Sequence, residues 1–344
     1  MIRLAFALAL VSGFCGCTSI GYYYQAVEGQ MQIWHRSRPI AQVIEDAHTP
    51  QQVRERLSLV LRVRDFASGE LALPDNGSYR KYADLERPFV LWNVFATTEF
   101  SIAATEWCFP IAGCVGYRGY FSQAGAEQFG EELRRKGLDV FVTGIPAYST
   151  LGWFDDPVLN TVMRYPDAEL ARLIFHELAH QVVYVPGDTV FNESFAVAVE
   201  QEGVDRWLAL DGDAAKRTAF DLYEQRKGAI IDLVMKYRDS LRTLYASAVS
   251  DAEKRQKKAE TFAAMKAEYL TLKDSWGGFA GYDRFFGREL NNANLVPVAT
   301  YSELVPGFRR VLAANGGDFK RFYAAVREIG KLPKEQRRAR LKAG

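Results

Sequence analysis

The segment Phe175-His176-Glu177-Leu178-Ala179-His180-Gln181 holds two of the chain's four histidines, four residues apart, with a glutamate beside the first. Residues four apart on a helix face the same way, so His176 and His180 can offer two imidazole nitrogens to one metal ion. Glu177 then lies beside the ion, where a carboxylate can take a proton from a water molecule. This is the H-E-x-x-H pattern of metal-assisted hydrolysis.

A catalytic zinc site takes three protein ligands and keeps a fourth position open. The remaining histidines, His35 and His48, fall in the N-terminal region, so the third ligand is expected to be a downstream carboxylate: Asp188, Glu193, Glu200 or Glu202. Glu193 is favoured because it begins a fresh helix, NESFAVAVE, that can fold back antiparallel to the first. Two turns on, Glu200 is placed to accept the outer N–H of a ligand histidine and orient it. Two histidines and one glutamate suit a single zinc ion per chain best.

Hydrolysis of an amide also creates an oxyanion that needs a second donor. No histidine follows His180, which leaves tyrosines, with Tyr282 and Tyr301 as candidates. Upstream, the backbone of Tyr148, Ser149, Thr150, Leu151 and Gly152 could bind an extended peptide as an added strand. In the other reading of that stretch, Trp153 and Phe154 pack under the helix and Asp155-Asp156-Pro157 makes a turn.

The elements that must position these groups can be read from pattern. Residues 22–70 read as helical, with Thr49 as N-cap and Pro50 in the first turn. LPDNGSY at 73–79 breaks that pattern. From Pro88 to Pro146, aromatic and β-branched residues predict a small sheet interrupted by a helix over 123–136. Pro166, Asp167 and Glu169 start the motif helix, whose apolar face is Leu170, Leu173, Ile174, Leu178 and Val182. A turn with Pro186 and Gly187 leads to the second helix, and 213–274 form one or two long charge-rich helices. The fold class expected is α+β, mostly helical, with the small sheet ahead of the motif helix. Its expected division is a leader at 1–16, a helical segment at 17–87, a catalytic core at 88–212 and a helical region completing the fold at 213–344.

MIRLAFALALVSGFCGC reads as a signal peptide: Arg3, a short apolar run, then small residues before a cysteine. The run is too short to span a bilayer. FCGC resembles a bacterial lipobox, which makes Cys17 the expected lipidated residue, with Cys15 and an ordinary cleaved signal as alternatives. A lipid-anchored protein of the bacterial envelope, facing the periplasm, follows. Cys108 and Cys114 flank a loop that can let their sulfurs meet, as an oxidising compartment would permit, or they are two buried thiols. Forty-three basic against 42 acidic side chains give no reason to expect nucleic acid as a partner. Oligomeric state is not legible.

HELAH followed by NESFA resembles the gluzincin metallopeptidases, which pair H-E-x-x-H with a later N-E motif. The match falls on His176, Glu177, His180 and Glu193. The lipobox with GYY, LPDNGSY, WCFPIAGCVGYRGYF, PAYSTLGWFDDPVL and LIFHELAHQ resemble more closely the predicted aminopeptidase family of bacterial lipoproteins, over residues 17 to 310. The resemblance implies a zincin-like fold and a zinc-dependent peptidase, with peptide as substrate and Glu177 as general base. The gap from His180 to Glu193 is shorter than in alanyl aminopeptidases, and their G-x-M-E-N segment is missing, so the aminopeptidase label carries over more weakly than the zinc chemistry. An envelope endopeptidase, or a scaffold with a structural or vestigial zinc site, are the other readings.

Overall fold

One wall of the site is a short antiparallel sheet in which Leu91–Thr97 lies between Arg118–Tyr120 and Asp139–Ile145. All seven residues of the central strand are buried, because both of its faces are covered. Trp92, Val94 and Ala96 pack on the helix Gln123–Arg135, whereas Leu91, Asn93 and Phe95 face the other way. The computed structural model describes residues 17–109, 113–147 and 149–342. Cys15 and the rest of the leader, Pro110 and Tyr148 lie outside the described residues, as do the side chains of Cys17 and Tyr301.

Residues 22–70 are not one helical run. The helix Cys17–Arg36 is followed by the strand Arg38–Pro39 and the helices Ile40–Glu45 and Gln51–Gly69. The two-residue strand pairs antiparallel with Lys81–Ala83, which pairs parallel with Val158–Leu159, so a second small sheet ties the N-terminal segment to the chain just before the motif helix. Pro50, not Thr49, is the N-cap of Gln51–Gly69, and Pro166 is the N-cap of the motif helix Asp167–Val182. Both prolines keep extended backbone, with ψ of 142° and 153°, and neither cap needs the N–H that proline lacks.

The glutamate helix is longer than expected, running Thr189–Asp211, because Asp188 caps it by accepting from the Phe191 amide. The charge-rich stretch is two helices, Ala214–Ala246 and Asp251–Ser275, separated where Ser250 caps the second. Beyond them lie Asp283–Phe286, Asn292–Ser302, Val305–Ala314, Phe319–Gly330 and Lys334–Lys342. The largest apolar cluster draws on residues from Ile40 to Leu341, so the N-terminal helices, the motif helix and the last helices share one core. The molecule is therefore α+β and mostly helical.

LPDNGSY braces the motif helix. Arg64, fully buried, donates to the carbonyls of Ser78 (2.9 Å), Pro74 and Asn76 (3.2 Å), which fixes the turn from inside. From that turn Asn76 donates to Gln181 (2.7 Å), and Gln181 donates back to the Ser78 hydroxyl (3.1 Å). Arg64→Met is expected to leave the Ser78 and Asn76 carbonyls without this donor, and the Pro74 carbonyl with only the Ser68 hydroxyl, and to lower unfolding free energy by about 3 kcal/mol. Urea denaturation followed by circular dichroism checks this; an unchanged midpoint would contradict it.

Candidate metal centre

The motif helix and the glutamate helix pack antiparallel through small residues. Ala171, Ala179 and Ala196 are fully buried, and a Cβ at Gly203 would come within 2.8 Å of Leu71 and Phe175. Larger side chains there would hold the helices further apart. The connection is tight: Gly187 has φ +78°, and the Asn192 carboxamide accepts from the Val185 amide (2.8 Å) and donates to the Val185 carbonyl (2.9 Å). Asn192 thus clamps the turn while Glu193, one position on, faces the histidines.

His176 Nε2, His180 Nε2 and a Glu193 oxygen converge. His176 Nε2 lies 3.2 Å from His180 Nε2 and 3.2 Å from Glu193 Oε2, and His180 Nε2 lies 3.5 Å from the same oxygen. These three ligand atoms form a group that could hold a metal ion. Tetrahedral ligands about 2.05 Å from a zinc ion stand about 3.3 Å apart, so the three edges fit that donor set. Hydrogen bonding alone would not require all three edges to be so nearly equal.

Glu200 accepts from His176 Nδ1 at 2.7 Å, which leaves Nε2 facing the other ligand atoms. Arg172 (3.3 Å) and Lys227 (3.9 Å) stand behind Glu200, and Arg172 is also paired with Glu169. His180 Nδ1 is buried and has no hydrogen-bond partner among the described residues, so packing orients that ring. Burial pushes His176 down, but Glu193 and Glu200 outweigh it and raise its pKa to about 10. Burial works to raise Glu193, yet His180 and His176 hold it well below the usual carboxylate range. Glu177 goes the other way: burial raises it, against the pull of His176 and His180.

These residues line a cleft of about 300 Å³ whose far wall is the sheet face bearing Leu91, Asn93 and Gly119. Ser149 and Leu151 line it too. The expectation of an added strand is corrected over 149–152; Tyr148 lies outside the described residues. Leu151 and Gly152 both have left-handed backbone (φ 58° and 81°), and the Thr150 and Leu151 amides already donate to Asp156 (2.8 Å) and Ser149 (3.1 Å). This is a closed turn, not an extended edge. Asp156 holds the turn from a buried position, and burial raises its pKa to about 6.

Three other candidates are elsewhere. Asp188 is a buried cap paired with Arg337 (2.9 Å), and Glu202 is paired with Arg206 (2.8 Å). Tyr282 packs with Trp276 and Phe279 in the cluster of the long helices, near Glu224 and Glu169, and does not line the cleft. Three tyrosines not singled out from sequence do line it, Tyr22, Tyr117 and Tyr184. Tyr117 follows the strand pair Trp107–Phe109 and Gly113–Val115, in which Cys108 and Cys114 are opposite each other and disulfide-bonded. Burial, then Glu193 and Tyr184, keep the Tyr117 phenol protonated far above neutral pH. Asn93 is buried on the cleft wall, and its carboxamide oxygen has no hydrogen-bond partner among the described residues.

The family described as "Putative aminopeptidase" matches residues 21–341. The chain belongs to this family. The match takes in the sheet, the motif helix and the C-terminal helices together. No match was found among curated proteins or among solved structures.

The outer partner of His176 is open to test. Glu200→Gln keeps the shape but loses the charge, and is expected to weaken metal binding by about 10- to 100-fold. Competition with a chromogenic chelator measures this; equal affinity in the two proteins would contradict the role given to Glu200.

Proposed function

We propose that this member of the aminopeptidase family is a zinc-dependent peptidase, tethered to the bacterial envelope through a lipid on Cys17, that removes residues from free N-termini. The observation that carries the reading is the convergence of His176, His180 and Glu193 beside Glu177 in one cleft. An ion bound there supplies the Lewis acidity that makes water nucleophilic near neutral pH. Glu177 accepts the proton of the attacking water and delivers it to the leaving amine. Its burial keeps that carboxylate basic enough for the task. Glu200 keeps His176 oriented throughout.

Tyr117, rather than Tyr282, is the donor to the carbonyl oxygen as charge develops on it. It lines the cleft, its phenol stays protonated, and it feels the charges of Glu193 and Glu177. Asn93 offers an unused acceptor on the opposite wall for an N–H of the substrate, the free amine included. A cleft of about 300 Å³ suits a few residues of peptide rather than a folded protein.

The test is hydrolysis of a peptide mixture by the purified protein, with products read by mass spectrometry. Single residues are expected to leave free N-termini, acetylated peptides to resist, and Glu177→Gln to lower kcat by about 10²- to 10⁴-fold while zinc stays bound. Internal cuts would replace the aminopeptidase reading by an endopeptidase. Full activity in Glu177→Gln would remove the mechanism.

A further inference from the structure

The helix Cys17–Arg36 has two apolar faces, and only one is used in packing. Tyr22, Ala26, Gly29 and Ile33 face inward: Tyr22 and Ala26 line the cleft, a Cβ at Gly29 would strike the Phe121 ring, and Ile33 is buried beneath Val90 and Leu91. The opposite face carries Tyr23, Tyr24, Val27, Met31 and Trp34, spaced as one helical stripe. Beside it the closed turn projects Trp153 and Phe154, with Phe154 edge-on to Trp34 at 4.7 Å. These seven side chains are 42–70% exposed and are seven of the ten exposed large apolar side chains among the described residues. Such clustering on one face marks an interaction surface.

We infer that this face docks on a phospholipid bilayer, with the helix lying along the membrane surface. Three observations choose a bilayer as the occupant. Cys17, the expected lipidation site, lies on this helix, so the stripe begins roughly 10 Å from it and ends about 25 Å from it along the helix. Tyrosine, tryptophan and methionine with an apolar aliphatic are the types that settle at the headgroup boundary. Glu28 and His35 stay at the edge of the stripe, outside the row formed by Tyr24, Val27, Met31 and Trp34. The two segments that bear the stripe also line the cleft, through Tyr22, Ala26, Ser149 and Leu151. Docking therefore sets the cleft wall against the membrane surface, where peptides held at the envelope would be met. The inference uses the lipidation of Cys17 only to choose the occupant, and it is independent of the metal site.

The six tryptophans provide the readout, since two of them, Trp34 and Trp153, lie on this face. The full chain is mixed with vesicles of phosphatidylethanolamine and phosphatidylglycerol whose acyl chains are dibrominated or ordinary. Emission is expected to fall by about a third in the brominated vesicles, and the drop is expected to vanish in a Trp34→Ser, Trp153→Ser double variant with unchanged circular dichroism. Running Cys17→Ser in parallel separates the two ideas: a lost tether lowers the bound fraction, yet each bound molecule is still quenched. Wild-type protein quenched no more than the double variant would overturn the inference. So would shielding of Trp34 and Trp153 by self-association without lipid, seen by sedimentation, because the face would then belong to a second copy.

Discussion

Everything at the centre depends on how closely the motif helix and the glutamate helix can approach. Two histidines on one helix supply only two donors, and the third has to come from a separate element held at a fixed distance and rotation. The distance is set by alanine and glycine at the contact, and the rotation by the Asn192 clamp on the turn at Val185. One residue of slip along the glutamate helix would turn Glu193 away by about 100° and bring Asn192 or Ser194 to the histidines. The rest of the fold keeps this pair rigid: LPDNGSY grips Gln181 at the end of one helix, and Arg337 grips Asp188 at the start of the other.

That dependence explains what could be read from sequence and what could not. His176, Glu177 and His180 are set by spacing within one helix, which is local. Glu193 and Glu200 were legible because they are two turns apart on the next helix, and a short connection leaves that helix few places to go. Asn93 on the central strand and Tyr117 in the connection just before Arg118–Tyr120 reach the cleft from 83 and 59 residues before His176, a placement made by sheet pairing that no short window records. A weak signal for Asn93 was present: in Leu91-Trp92-Asn93-Val94-Phe95 it is the one polar residue in an apolar strand. Nothing local separated Tyr282 from the other 16 tyrosines, and its burial among the long helices is a product of tertiary packing. The turn at 149–156 was legible in its Asp155-Asp156-Pro157 half, whereas the left-handed backbone at Leu151 was not, since leucine rarely adopts it.

The shared core draws on residues from all three expected segments, 17–87, 88–212 and 213–344. The N-terminal helices contribute Leu57, Val60 and Val63, and the C-terminal helices contribute Phe308 and Phe322, to the cluster that buries Leu170, Ile174 and Leu178 of the motif helix. Remote segments thus stabilise the site without touching its chemistry. The N-terminal helix has a double part, closing one side of the cleft with Tyr22 and presenting an uncovered aromatic face outward.

The most direct measurement of the central claim is anomalous diffraction at the zinc edge from crystals of the purified protein with one equivalent of zinc. The account predicts one strong peak bounded by His176 Nε2, His180 Nε2 and the Glu193 carboxylate, with the remaining coordination position open to the cleft beside Glu177. A fourth protein side chain closing that position, or zinc bound elsewhere with these three residues unengaged, would contradict it.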